Sequence, residues 1–115
     1  MVHNTFSKEE DITDNYYCTC PKANLYIENS LSDYSIFDTD KFCVGTDSLA
    51  SNNSLSILEE LKVIQENSDF DLNTLFKIAC KNGADALGFS DLGTFEKGKK
   101  PGLNLVNKFN KIKVL

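Results

Sequence analysis

Arginine and tryptophan are absent from this chain, and histidine and methionine occur once each. All twelve positive side chains are therefore lysines, set against seventeen carboxylates, for a formal net charge of -5. A nucleic-acid surface needs clustered cations to displace counterions from phosphates, so no nucleic-acid partner is expected. The same balance argues against attachment to anionic lipid. No apolar run approaches the roughly 20 residues that span a bilayer; the longest are stretches such as Phe42–Val44, and no membrane partner is expected. Met1-Val2-His3-Asn4-Thr5 lacks the basic and apolar regions of a secretory signal, so the expected location is cytoplasmic. With 2 prolines, 6 glycines and 41% hydrophobic residues in 115, the chain has the composition of one compact domain and is too apolar for disorder.

Cys18, Cys20, Cys43 and Cys80 are even in number, and Cys18-Thr19-Cys20 is a close pair. Without an export signal, disulfides are not expected, and free cysteine packs as a small hydrophobe. The expectation is reduced, buried thiols. A zinc centre takes about four ligands, usually as two spaced pairs. Only His3 is available to join the cysteines, so a metal-storage protein using Cys18, Cys20 and His3 is an alternative reading.

No repeat or low-complexity tract is present. Ser7-Lys8-Glu9-Glu10 has the capping-box pattern and predicts a polar helix over residues 8–15. Tyr16–Cys20 is rich in strand formers and stops at Pro21, which cannot continue a ladder. Residues 30–37 read as a short helix or an irregular connection. Lys41–Thr46 is an apolar strand. Leu55, Leu58, Leu61 and Ile64 share one helical face, with Ser56 and Glu59 as a second capping box. A further helix starts at the N-cap Asp71 and is expected to bury Leu72, Leu75, Phe76 and Ala79. Gly83 stands at a natural C-terminal position, with one more turn over Ala84–Leu87. Residues 93–98 and 103–106 alternate like two strands joined by a Gly/Lys/Pro turn. Strands separated by helices imply parallel pairing, yet two such strands make a poor parallel sheet. Either this is a miniature α/β fold or part of something larger.

Asp47 sits where the Lys41–Thr46 strand meets a polar loop. Ligands bind at that edge in parallel α/β folds, and a carboxylate there can hold a divalent metal or move a proton. The plainer reading is an N-cap or Asx-turn. Ser48–Asn53 is a loop of small polar residues, which either cap the next helix or let the loop approach a ligand closely. His3 follows what would be the last residues of a strand, although a lone terminal histidine is commonly just solvated. Cys20–Asn24 reads as an ordinary turn that can aim the Asn24 amide at the same opening. Lys97-Gly98-Lys99-Lys100 is a solvated turn and matches no phosphate loop.

Taken together and in order, these segments resemble the metal-dependent amidohydrolase superfamily, in its deaminase/chlorohydrolase-like branch. The resemblance rests on His3, on Cys-Pro-x-x-Asn-Leu at 20–25, and on Gly-Thr-Asp-Ser-Leu-Ala-Ser-Asn-Asn at 45–53. Leu-Glu-Glu-Leu at 58–61, Asn82–Gly88 and Gly93–Lys99 extend it. It implies an α/β fold: the C-terminal fragment of a (β/α)8 barrel plus part of a small β-sandwich. Residues 1–90 would carry barrel strands six to eight, and residues 91–115 the sandwich segment. About 250 residues make such a barrel, so much of it would lie outside this chain.

The implied chemistry is metal-assisted hydrolysis of C–N bonds other than peptide bonds, as in deamination or cyclic amide cleavage. A divalent metal, commonly zinc, would lower the pKa of its water. Asp47 matches the aspartate that touches the metal and shuttles the water's proton. His3 matches the histidine that polarises the substrate, while Asn24, Ser51 and Asn52 match pocket-lining positions. The family's His-x-His pair and its histidine after the fifth strand have no counterpart here. Gly102 also stands where an aspartate is frequent. The expectation is therefore a hydrolase fragment, inactive alone and holding no metal tightly. It would need the missing N-terminal barrel segment as its partner and act on a small-molecule substrate when complete. Its open strand edges predict self-association. A non-catalytic α/β interaction module derived from an amidohydrolase is the alternative.

Overall fold

The computed structural model describes residues 1–107 and 110–114, with side chains described through Asn107. Tyr17–Thr19 forms strand β1 and Phe42–Val44 forms β2. They pair in parallel, Tyr17 with Phe42, Cys18 with Cys43 and Thr19 with Val44. Val2 adds a parallel bridge to Cys18 on the other edge of β1. Three parallel segments are thus neighbours, in the order Val2, β1, β2.

Pro21 ends the ladder of β1, as expected, but it also opens helix α1, Pro21–Glu28. The turn expected at Cys20–Asn24 is corrected here, because proline's fixed φ suits the first helical position. Asn29, with φ of 49°, closes α1 through its N–H to the Leu25 carbonyl. Tyr34–Ile36 makes a single 3-10 turn, in which the Asp33 carboxylate accepts from Ser35 N at 3.0 Å.

Helix α2 spans Ile57–Glu66 and buries Leu61 and Ile64 completely. Leu55 precedes its first turn and is 59% exposed, so the apolar stripe starts later than its spacing suggests. Ser56 is the N-cap but forms no side-chain cap bond, and Glu59 pairs with Lys62 instead of completing a box. Asp71 does cap α3, Leu72–Phe76, accepting from Thr74 N at 2.8 Å. Leu72, expected inside, is half exposed at the helix start, while Leu75 is fully buried.

After α3 the chain stays helical. A π-helical stretch, Lys77–Lys81, leads straight into α4, Asn82–Leu87. Gly83 is therefore an interior helical residue, and the left-handed terminator is Gly88 at φ 75°. The reason is tertiary. Asn82 is fully buried and its Nδ2 donates to the Thr39 and Phe42 carbonyls, both at 2.7 Å, which holds this turn against β2.

Two further expectations fail. The polar helix over residues 8–15 reduces to a 3-10 turn at Glu9–Asp11, capped from Lys8 N to Asp11 Oδ2 at 2.8 Å. A short polar segment without a packed face does not repay nucleation. Residues 93–98 form no strand; β3, Asn104–Asn107, pairs antiparallel with β4, Asn110–Val114. Gly93 instead presses on α4: a Cβ added there would stand 2.9 Å from Ala84 Cβ, and its φ of 85° is left-handed.

The core lies on one face of the β1–β2 pair. Tyr17, Tyr34, Phe37 and Phe42 meet Leu61, Ile64, Leu75 and Ile78 there. Phe37 stacks on Phe42 with centroids 4.8 Å apart and planes 6° from parallel. Each fully buried large side chain of this kind contributes about 1.5–3 kcal/mol of transfer free energy. All four cysteines are free; Cys20 and Cys43 are buried as expected, whereas Cys18 is half-buried and Cys80 exposed. No helix among the described residues is long and apolar enough to cross a membrane.

Candidate functional site

The three parallel segments run out at the same end of the sheet. Val2 leads into His3 and Asn4, β1 into Cys20 and the first turn of α1, and β2 into Gly45-Thr46-Asp47. His3, Asn4 and Asp47 all have left-handed backbones, with φ of 69°, 56° and 57°. Histidine, asparagine and aspartate tolerate that region better than most side chains, and such strained positions concentrate at functional loops. Local bonds hold the strain in place: Asn4 Nδ2 donates to the Cys18 carbonyl at 3.1 Å and the Met1 carbonyl at 3.3 Å.

His3 and Asn24 meet directly, with Nδ1 to Oδ1 at 2.8 Å. Asn24 is 1% exposed, and its Nδ2 donates to the His3 carbonyl at 3.3 Å and Thr19 Oγ1 at 3.4 Å. With its amide protons committed to oxygens, Asn24 presents Oδ1 to the imidazole, so Nδ1 carries the proton and Nε2 stays available. Ser32 adds a bond to the His3 carbonyl at 3.0 Å. The ring is thus oriented from both its backbone and its Nδ1 side.

Asp47 accepts a hydrogen bond from Ser51 Oγ at 2.5 Å. That bond, chiefly, holds its carboxyl below the usual aspartate range, with smaller help from the Ser48 backbone and His3 and some opposition from desolvation. The result is a carboxylate kept ionised. It can hold a cation or take a proton.

Asn52 is turned inward. Its Nδ2 donates to the Thr46 carbonyl at 2.8 Å and to Glu60 Oε1 at 2.6 Å, while its Oδ1 accepts from Ser54 N at 3.2 Å. Glu60 Oε2 in turn accepts from Lys22 N at 2.8 Å. Glu60 is fully buried, and burial pushes its carboxyl above the ordinary glutamate value although both bonds pull the other way. Sequence reasoning passed over this residue and Ser32. The available signal was that Glu60 lies four residues before Ile64, on the buried face of α2.

Beneath the mouth, a Cβ on Gly45 would stand 3.4 Å from Cys18 Sγ and 3.5 Å from Cys20 Sγ. The neighbouring Cys18 and burial push the Cys20 thiol up, while Cys20 draws the Cys18 thiol down. An open groove of about 520 Å³ lies to one side, lined among others by Leu25, Tyr26, Leu49 and Val63. It shares Ser51 and Asn52 with the site but reaches neither His3 nor Asp47.

Asp47 offers an ionised oxygen of a kind that zinc takes, and the His3 imidazole stands at the same mouth. Among the described residues, no group of three or more His, Cys, Asp or Glu side chains could hold an ion. Among the described residues Asp47 supplies one oxygen ligand and no closed site.

The amidohydrolase family profile matches residues 1–114. The chain is 37% identical over 97 residues to the 5-methylthioadenosine/S-adenosylhomocysteine deaminase of Halalkalibacterium halodurans, a match covering 76% of this chain and 22% of that protein. The crystal structure of Helicobacter pylori aminofutalosine deaminase superposes with a TM-score of 0.69 at 30% identity, over 95% of this chain and 31% of that one. An adenosine deaminase from Xanthomonas campestris with bound zinc superposes with a TM-score of 0.70 at 28% identity, over 85% of this chain and 26% of that one. The chain thus spans about a quarter of the length of the relatives it matches, and with a profile covering nearly all of it and two deaminase folds overlaying it, it belongs to the amidohydrolase family.

Proposed function

We propose that the chain forms the closing part of a metal-dependent deaminase that hydrolyses the exocyclic C–N bond of an aminated purine nucleoside. On this reading residues 1–90 carry the sixth to eighth strands of a (β/α)8 barrel, with Val2 ending the sixth, β1 the seventh and β2 the eighth. Residues 91–115 belong to the small β-sandwich. The deaminase names of the relatives, and the nucleoside chemistry in those names, support this substrate class. The observation that carries the reading is the shared mouth, where His3, Asn24 and Asp47 follow three adjacent parallel segments at one sheet edge.

Zinc, when bound, supplies Lewis-acid activation of water. Asp47 would hold it through one carboxylate oxygen, and Ser51 keeps that carboxylate ionised and oriented. Asp47 also takes the proton that water gives up and returns it to the departing amine. His3, with Nδ1 tied to Asn24, presents Nε2 to the substrate or the attacking oxygen. Ser51 orients Asp47, while Asn24 and Asn52, buried with their amides committed, hold the segments around the pocket. The remaining metal ligands come from chain outside these residues, so the isolated chain is inactive and holds zinc weakly.

The experiment joins this chain to the preceding three-quarters of the H. halodurans relative and measures zinc content and ammonia release from methylthioadenosine. Zinc retention and turnover, both lost on Asp47→Ala, are the expected outcome. A joined protein that folds cooperatively yet neither holds zinc nor releases ammonia refutes the assignment.

A further inference from the structure

We propose that Glu60 is a positioning residue, a buried carboxylate that ties the loop carrying Asp47 to the helix carrying Asn24. The inference deepens the deaminase reading and rests on it for the identity of the site.

Two other segments converge on this side chain. Helix α1 begins without a side-chain cap from Cys20, which leaves its first amides needing acceptors. Glu60 Oε2 supplies one, to Lys22 N at 2.8 Å, and places negative charge at the positive end of α1. Two residues on, Asn24 holds the His3 imidazole. Glu60 Oε1 meets Asn52 Nδ2 at 2.6 Å, and the same amide group holds the Thr46 carbonyl beside Asp47. The connection therefore runs from His3 through Asn24 and α1 to Glu60, then through Asn52 and Thr46 to Asp47.

Both partners of Glu60 are neutral N–H donors, so both of its oxygens must accept. A carboxyl group can accept at both oxygens, whereas a glutamine would turn its own NH2 toward one donor. An apolar side chain at this fully buried position would strand the Lys22 and Asn52 donors. What the carboxylate adds is a fixed distance between two loops.

The test compares amide exchange and imidazole nitrogen shifts by NMR in the chain, in Glu60→Gln and in Asn52→Ala. In Glu60→Gln the Lys22 amide should exchange about tenfold faster, and the His3 Nδ1 and Asn24 amide signals should move. The Leu75 amide, bonded to the Asp71 carbonyl at 3.0 Å, should stay within about threefold. Equal acceleration at Lys22 and Leu75, or an unmoved His3 signal, overturns the proposal in favour of plain fold stabilisation. Should Glu60→Gln fail to fold, Asn52→Ala decides. It should loosen the Ser51 amide while Lys22 keeps its protection, and joint loss or no change refutes the tie. These signals do not depend on turnover. Absence of deamination in the joined protein with Glu60 intact would instead count against the function assigned above.

Discussion

Replacing Asn82 by aspartate should harm this protein more than replacing it by alanine, although aspartate is the closer match in shape. Asn82 is fully buried at the start of α4, and its Nδ2 donates to the Thr39 and Phe42 carbonyls, each at 2.7 Å. Alanine removes the donors and strands two acceptors, a loss of about 1–3 kcal/mol. Aspartate removes the donors and also aims a charge at two carbonyl oxygens. An uncompensated buried charge of that kind costs roughly 3–5 kcal/mol, a large share of the stability of a domain this small. At about 4 °C per kcal/mol for a chain of this length, alanine should lower Tm by roughly 8 °C and aspartate by roughly 16 °C. Thermal and urea unfolding followed by circular dichroism at neutral pH measure both. An aspartate variant as stable as the alanine variant would mean that the amide protons do not hold β2, and the account of why helix runs through Gly83 would fall with it.

Phe42→Ala removes a fully buried ring stacked on Phe37 and should cost about 3–5 kcal/mol, read as a lower urea midpoint at unchanged slope. A loss near zero would show that the stack is not the centre of the core. Gly83→Ala should stabilise by roughly 0.5–1 kcal/mol, since the position is helical and open. Gly93→Ala should destabilise, because its φ of 85° and the 2.9 Å approach to Ala84 leave no room; matching melts for the two variants would refute the local geometry. Glu60 also has a pH signature. Its folded carboxyl is raised above 4.5, so the folded state binds the proton more readily and stability falls as pH rises through the folded value. Asp33, Asp47 and Asp71 are lowered, so their contribution is present above the ordinary aspartate value and is lost only at lower pH. Urea midpoints for the wild type should therefore decline from mildly acid to neutral pH, and Glu60→Gln should flatten that decline; an unchanged slope in the variant contradicts it.

Chemistry confined to a few neighbouring residues could be read without coordinates. The Asp71 cap, the stop at Pro21, the apolar strand around Phe42 and the succession of His3, Asn24 and Asp47 at strand ends depend on side chains within one turn or one strand. Gly83, the alternation of residues 93–98 and the capping box at Ser7 carried the same kind of local signal and gave the wrong element. In the first two cases a distant partner outweighed propensity: Phe42 and Thr39 reach Asn82 beside Gly83, and Ala84 meets Gly93. The Ser7 segment failed for a different reason: its turn buries no residue and is too short and polar to repay nucleation.

Propensity and order along the chain were enough for the family, the parallel pairing of β1 with β2 and the residue types gathered at the mouth. Packing had to settle which polar groups face one another. Glu60 bonds Lys22 across 38 residues and Asn82 bonds Phe42 across 40, separations over which no periodicity in the sequence carries information. Hydrogen bonds are short-ranged and directional, so their partners are chosen only when the backbone has already brought donors and acceptors within about 3 Å of one another.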